Sequence, residues 1–216
     1  MLARHRLSAT FFVTQPSPVL DAFRAYGDVE LGLHPNFLPG SSHGSSPDEV
    51  LAHLRAWVPE AVGARAHCLV QGTPTSQAYR RHGLRYDAAT LRDGVAGLEV
   101  FHSWTGLVEI PIWFEDDVHL SRGRSCRLDE LGLATQGLHV MTFHPVLVAL
   151  DATSLDGYGR LKADLAQRGR RLVDATEDDF APYRDQGGIG TLFKAVAAWL
   201  AANPSCQGGP LRQLAP

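Results

Sequence analysis

Residues 9–14, Ala-Thr-Phe-Phe-Val-Thr, form an unbroken β-prone run with no polar alternation. Such a run fits a strand buried on both faces, the habit of a parallel sheet covered by helices. A helical pattern follows over 17–26, with Val19, Leu20 and Phe23 on one side, and then a second apolar run over 29–33. Residues 46–58 carry the clearest helix. Ser46 stands at the N-cap, Pro47 at the first helical position and Glu49 three residues on, with Val50, Leu51, Leu54, Trp57 and Val58 as one apolar stripe. Strands alternating with helices at short spacing predict an α/β fold with a mostly parallel sheet, barrel-like if six or seven such units close up.

Further short strands are expected at 66–70, 84–86, 98–102, 107–114 and 138–143. Helices are expected at 75–82, 154–168 and 190–203. Residues 120–136, polar and Arg-rich, read as a surface excursion, and 204–216, with Gly and Pro, as a flexible C-terminal tail after a single domain spanning 1–203. A chain of 216 residues is long enough for one domain with a full core.

A net charge of −3 with scattered Lys and Arg gives no electrostatic footprint for nucleic acid, and no apolar run approaches the ~20 residues needed to span a bilayer. Three cysteines, Cys68, Cys126 and Cys206, are odd in number and far apart, which argues against a disulfide framework or a Cys-based zinc knuckle. The start of the chain has no signal-peptide core, so the expectation is a reduced, cytoplasmic protein.

In parallel α/β folds the chemistry collects where strands end. The residues expected there are His34, Arg65 with His67, His102, Asp116 with Asp117, and His144. Three or four of them converging would make a divalent-metal site with an open position for water. Each also has a plainer reading. A single strand-end His is commonly a satisfied structural residue, Glu115-Asp116-Asp117 can be a solvated turn, and the Gly-Ser-rich segment around His43 has the composition of a linker. Trp104 and Trp113 can stack on a sugar ring or simply pack in the core.

Several stretches together resemble the polysaccharide deacetylases with a NodB homology domain (carbohydrate esterase family 4), nearest to the branch linked to O-antigen and surface polysaccharide. They are Arg4-His5-Arg6-Leu7-Ser8-Ala9-Thr10-Phe11-Phe12-Val13, Glu30-Leu31-Gly32-Leu33-His34, Gly83-Leu84-Arg85-Tyr86-Asp87 and Phe143-His144. The resemblance covers roughly residues 1–165. It implies a distorted (β/α) barrel, a divalent metal with zinc as first choice, and hydrolytic removal of an acetyl group from an N-acetylated sugar. It makes His34 the first metal ligand. The second ligand position holds Leu38, so the next histidine, His43, is nominated. It makes His144 the general acid and Arg65 the residue that positions the base, and Trp113 to Asp117 lie where the family has its Trp/Asp motif; Trp113, Asp116, Asp117 and the strand-end His67 are the expected substrate-side residues.

The family's opening strand, ending in an Asp pair that supplies a metal ligand and the base, has no counterpart here. Either the chain starts at an internal methionine or the protein is an altered, non-catalytic carbohydrate-binding or scaffold relative. The first is favoured, because residues 1–7 read as the tail of a helix. Both lead to an incomplete barrel with an exposed strand edge.

Overall fold

The computed structural model describes residues 2–203, 205, 206 and 208–216. The N-terminal half alternates as expected: α1 (Leu2–His5), β1 (Ala9–Val13), α2 (Val19–Tyr26), β2 (Val29–Leu33), α3 (Pro47–Arg55), β3 (Gly63–Ala64), α4 (Thr73–Arg81) and β4 (Tyr86–Asp87). A hairpin of β5 (Phe101–His102) and β6 (Val108–Glu109) follows, then β7 (Phe114–Glu115), α5 (Asp116–Ser121) and β8 (Met141–Thr142). The chain finishes with α6 (Pro145–Ala149), α7 (Asp156–Gln167), α8 (Glu177–Phe180) and α9 (Ile189–Ala202).

The strands form a six-stranded sheet in the order β1-β2-β3-β4-β6-β5 and a two-stranded sheet of β7 and β8. Every pairing is parallel except β5 on β6. A lone parallel bridge, Leu91 with Ile112, leads from the first sheet towards the second. The fold is thus mixed α/β, but among the described residues no ladder joins β8 to β1, and the expected barrel is not a closed ring. β1 is an edge strand, and only its Val13 is buried. The strand covered on both faces is β2, all five residues of which are buried.

Alternation along the strands sorts side chains onto two faces. Leu31, Leu33 and Ala64 pack with α3 and α4 residues such as Leu51, Leu54 and Tyr79. Tyr86, Val108 and Ile110 face the other way, into a cluster with Val140, Leu211 and Ala215. Gly63 is required on that inner face. A Cβ there would stand 2.0 Å from the ring of Tyr86, whose hydroxyl donates to the buried carboxylate of Glu30 at 3.0 Å.

Two local expectations are corrected. Residues 66–70 are not a strand; Cys68 and Leu69 take left-handed φ of 53° and 52°, and His67–Leu69 is a 3-10 turn. Only Ala66 of this run is buried and His67 and Cys68 are exposed, and the strand lies earlier, at Gly63–Ala64. The tail over 208–216 is packed instead of flexible, while Pro204 and Gln207 of that expectation lie outside the described residues. Leu211 and Ala215 are buried, the Leu211 N–H donates to Thr10 Oγ1 at 2.9 Å, and the Arg212 N–H to Glu30 Oε2 at 2.8 Å. A buried carboxylate needs donors, and the tail supplies one. Among the described residues no helix is long and apolar enough to cross a membrane.

Candidate metal centre

β7 runs directly into α5, so Glu115 is the last strand residue while Asp116 and Asp117 open the helix. β8 delivers Thr142 and then His144, which caps α6 with Pro145 at its first position. The parallel β7–β8 ladder therefore brings both strand ends to one edge, and the side chains meet there.

Asp116, 0% exposed, accepts the His144 backbone N–H at 2.7 Å on Oδ2. Its Oδ1 takes His144 Nδ1 at 2.5 Å and the Asp117 N–H at 2.9 Å. Because a carboxylate can only accept, Nδ1 carries the proton in this contact, and Nε2 is left as the free nitrogen. Glu115, Asp117 and His144 each offer one ligand atom, and these atoms all lie within 4.8 Å of one another. They are the group of three or more metal-capable side chains that meets this condition among the described residues. Two carboxylate oxygens and an imidazole suit a borderline divalent ion. Behind them, the Asp116–His144 contact is the carboxylate–histidine support that fixes a ligating imidazole.

The acidic triplet is therefore no solvated turn. Burial pushes the Glu115 carboxyl up to about 7, with the Asp117 charge adding to the shift and Arg65 opposing it. Its Oε2 is buried and has no hydrogen-bond partner among the described residues. Burial works against charge on His144, but the bond to Asp116 and the charges of Asp116, Asp117 and Glu115 outweigh it and raise its value. Burial raises Asp116 as well, with the hydrogen bond and charge of His144 opposing it.

Arg65 lies across the inner face at this edge. Its Nη1 donates to Thr142 Oγ1 at 2.6 Å, its Nε to the Ala88 carbonyl at 2.8 Å, and its guanidinium sits 4.7 Å from the centre of the Phe12 ring. Burial lowers it to about 10, and Glu115 is the first of the carboxylates that counter this. His34 joins the same mouth. Burial, then the charges of His67, Arg65 and His144, hold it down to about 3, so it is a neutral imidazole, with Nδ1 unpartnered among the described residues. The His67 ring meets it edge-on at 5.7 Å.

The remaining nominations fall elsewhere. His43 Nδ1 accepts the Asn36 N–H at 3.4 Å, and its ring stacks on His53 at 5.6 Å. It is not gathered with His34 and a carboxylate into a three-ligand group. The loop of residues 34–46 is held instead by its own turns and by the helix start. Ser46 Oγ accepts the Glu49 N–H, while the Glu49 carboxylate reaches back to Ser45. Trp113 is 4% exposed, packed in the core and edge-on to His139 at 4.3 Å, so its ring offers no open face to a sugar. Trp104 is 75% exposed but sits in the β5–β6 turn, at the N-terminal end of β6 and so at the opposite edge of the sheet. His102 lies in β5, one register position back from Glu109.

Glu115 lies outside the residues that strand-end position alone marks as candidates. Its one signal is its place between the apolar run and the Asp pair, at the end of β7. Two surface hollows, one lined by Pro16, Leu20, Arg24 and Trp57 and one by Arg6, Leu7, Leu200 and Gln213, share no residue with this centre.

An α/β fold with titratable groups gathered where its parallel strands end is the layout of many hydrolases. The model of one family, described as WbmS-like polysaccharide deacetylase, matches residues 1–162, and the chain belongs to that family. Membership supports deacetylation of a polysaccharide. The crystal structure of a Bordetella bronchiseptica protein, assigned as a polysaccharide deacetylase involved in O-antigen biosynthesis, is similar with a TM-score of 0.76 and 28% identity, over 92% of this chain and 81% of that one. A Mycobacterium smegmatis protein assigned as a polysaccharide deacetylase aligns over 99% of this chain and 72% of its own at 16% identity and a TM-score of 0.48, too distant to carry an argument. No protein of curated function matches the chain.

Proposed function

We propose that this chain hydrolyses the acetamide of an N-acetylated sugar in a polysaccharide or its precursor, of the O-antigen or surface-polysaccharide kind, at the Glu115–Asp116–Asp117–His144 centre. The observation that carries the reading is the meeting of Glu115, Asp117 and His144 within 4.8 Å, with Asp116 buried behind the imidazole. Those three side chains would hold the family's divalent ion, zinc first, which when bound supplies Lewis-acid polarisation of the carbonyl and a water of lowered pKa.

The protein's own groups set up the rest. Asp116 fixes the His144 tautomer so that Nε2 presents a lone pair. Arg65 supports the ionised form of Glu115 against its burial. His34 stays neutral and adds no charge.

Nε2 of His144 cannot both ligate a cation and hand over a proton. In this reading His144 is a ligand, and the exposed His67 imidazole at the same mouth donates the proton to the leaving amine. This reading takes the ligand role from His34, to which the resemblance gave it, and from His43, nominated as the next histidine along the chain.

The test is acetate release from an N-acetylated oligosaccharide, with zinc supplied, by wild type and by Glu115→Gln/Asp117→Asn. The reading expects zinc-dependent release that the double variant loses. Sugar binding without acetate release would favour the non-catalytic carbohydrate-binding alternative.

A further inference from the structure

The Gly83–Asp87 segment brings a second pair of acids to the sheet, away from the centre above. Asp87 and Glu109 are register partners on the neighbouring parallel strands β4 and β6. Each follows a residue of the inner-face cluster, Tyr86 and Val108, so each points to the opposite face, where α4 packs. The two carboxylates share one cap. Gln71 Nε2 lies 3.2 Å from Asp87 Oδ2, 3.4 Å from Glu109 Oε2 and 3.1 Å from Thr90 Oγ1, while Gln71 Oε1 accepts from Thr90 Oγ1 at 3.3 Å.

Two further observations point to a missing partner. Asp87 is 1% exposed, yet its Oδ1 makes no full hydrogen bond among the described residues; the Ala89 backbone N–H acts on the carboxylate without closing one. The Tyr79 hydroxyl, on a residue 0% exposed, is equally unpartnered and lies where the charges of Asp87 and Glu109 both act on it. A buried oxygen left without a donor is costly, and two acids side by side add repulsion.

We propose that Asp87 and Glu109, with Gln71 and Thr90, form a second site that takes a hard divalent cation of the calcium class. The donor set is all oxygen, which suits a hard ion and not a nitrogen- or sulfur-seeking one. Two carboxylates neutralise the charge of a divalent ion. The Gln71 NH2 group occupies the bridging position between them, and a half-turn of the amide puts Oε1 there instead. Gln71 is exposed, so the cap can turn or move aside. This site is independent of the hydrolytic reading.

The test uses the Glu115→Gln/Asp117→Asn protein, which lacks the inner carboxylates, so a failure of the proposed hydrolysis leaves it untouched. After chelator treatment and dialysis it is titrated calorimetrically with calcium chloride. The expected result is one calcium per chain and a raised melting temperature, both lost when Asp87→Asn/Glu109→Gln is added. If that combined variant does not fold by circular dichroism, Gln71→Ala at the surface is read instead. Calcium binding at least about tenfold weaker supports the site, through the lost oxygen ligand, and unchanged binding overturns it. No calcium uptake by the parent protein, or uptake that survives Asp87→Asn/Glu109→Gln, also overturns it.

Discussion

Asp116→Asn separates the ligand role of His144 from ordinary packing, because the change is isosteric. Three donors converge on this carboxylate: the Asp117 N–H and His144 Nδ1 on Oδ1, and the His144 N–H on Oδ2. An asparagine keeps one acceptor oxygen and turns the other into an NH2 group. With the NH2 group in place of Oδ2, it faces the His144 N–H and leaves that buried donor without a partner, at about 1–3 kcal/mol. With the NH2 group in place of Oδ1, it opposes the Asp117 N–H and forces Nδ1 to accept, which moves the imidazole proton to Nε2 and removes the lone pair a metal needs.

Both outcomes cost zinc affinity or stability. Loss of such a supporting partner typically weakens metal binding about 10- to 100-fold, or about 1.4–2.7 kcal/mol. Competition with a chromophoric chelator at pH 7.5 measures the affinity, and urea unfolding in chelator measures the stability. Zinc affinity within about twofold of wild type, in a protein of unchanged stability, would refute the reasoning.

In chelator, stability should fall as pH rises through the titration of Glu115. Its folded value of about 7 is above the ordinary 4.5, so its favourable contribution is complete below about pH 4.5 and lost as pH passes 7. Glu115→Gln removes that slope, and its gain over wild type at pH 8 relative to pH 4.5 should be about 2 kcal/mol once solvent screening is allowed for; equal slopes in urea titrations would contradict it. Leu211→Ala should cost about 2–4 kcal/mol by urea unfolding, because Leu211 is 9% exposed in the inner-face cluster. A cost under about 0.5 kcal/mol would show that the C-terminal segment is not part of the core. Gly63→Ala should prevent soluble expression or lower the melting temperature sharply, since its Cβ would collide with the fully buried Tyr86 ring.

The α/β alternation could be read in the sequence because helix and strand periods differ and the Ser46–Glu49 start of α3 is written in its side chains. Closure of the barrel could not, because six of the eight strands are two-residue ladders whose pairing depends on distant partners. Asp116, Asp117 and His144 were readable as strand-end residues. What joins them is the β7–β8 pairing across a 25-residue excursion from Asp116 to Val140, which no local pattern encodes. His43 was nominated by nearness in sequence to His34, and loop geometry took it to His53 instead. The tail reads as flexible from its Gly and Pro, yet the Leu211 and Arg212 N–H groups bond Thr10 and Glu30 and the buried Leu211 and Ala215 hold it to the sheet. Asp87 and Glu109 show no common signal, since only strand register makes them neighbours.

Anomalous diffraction at the zinc edge, on crystals of the full chain soaked in zinc, tests the placement of the metal most directly. The expected result is a peak bounded by Glu115, Asp117 and His144 Nε2, with Asp116 still on Nδ1. A peak between His34 and His43, or none near His144, would contradict the account.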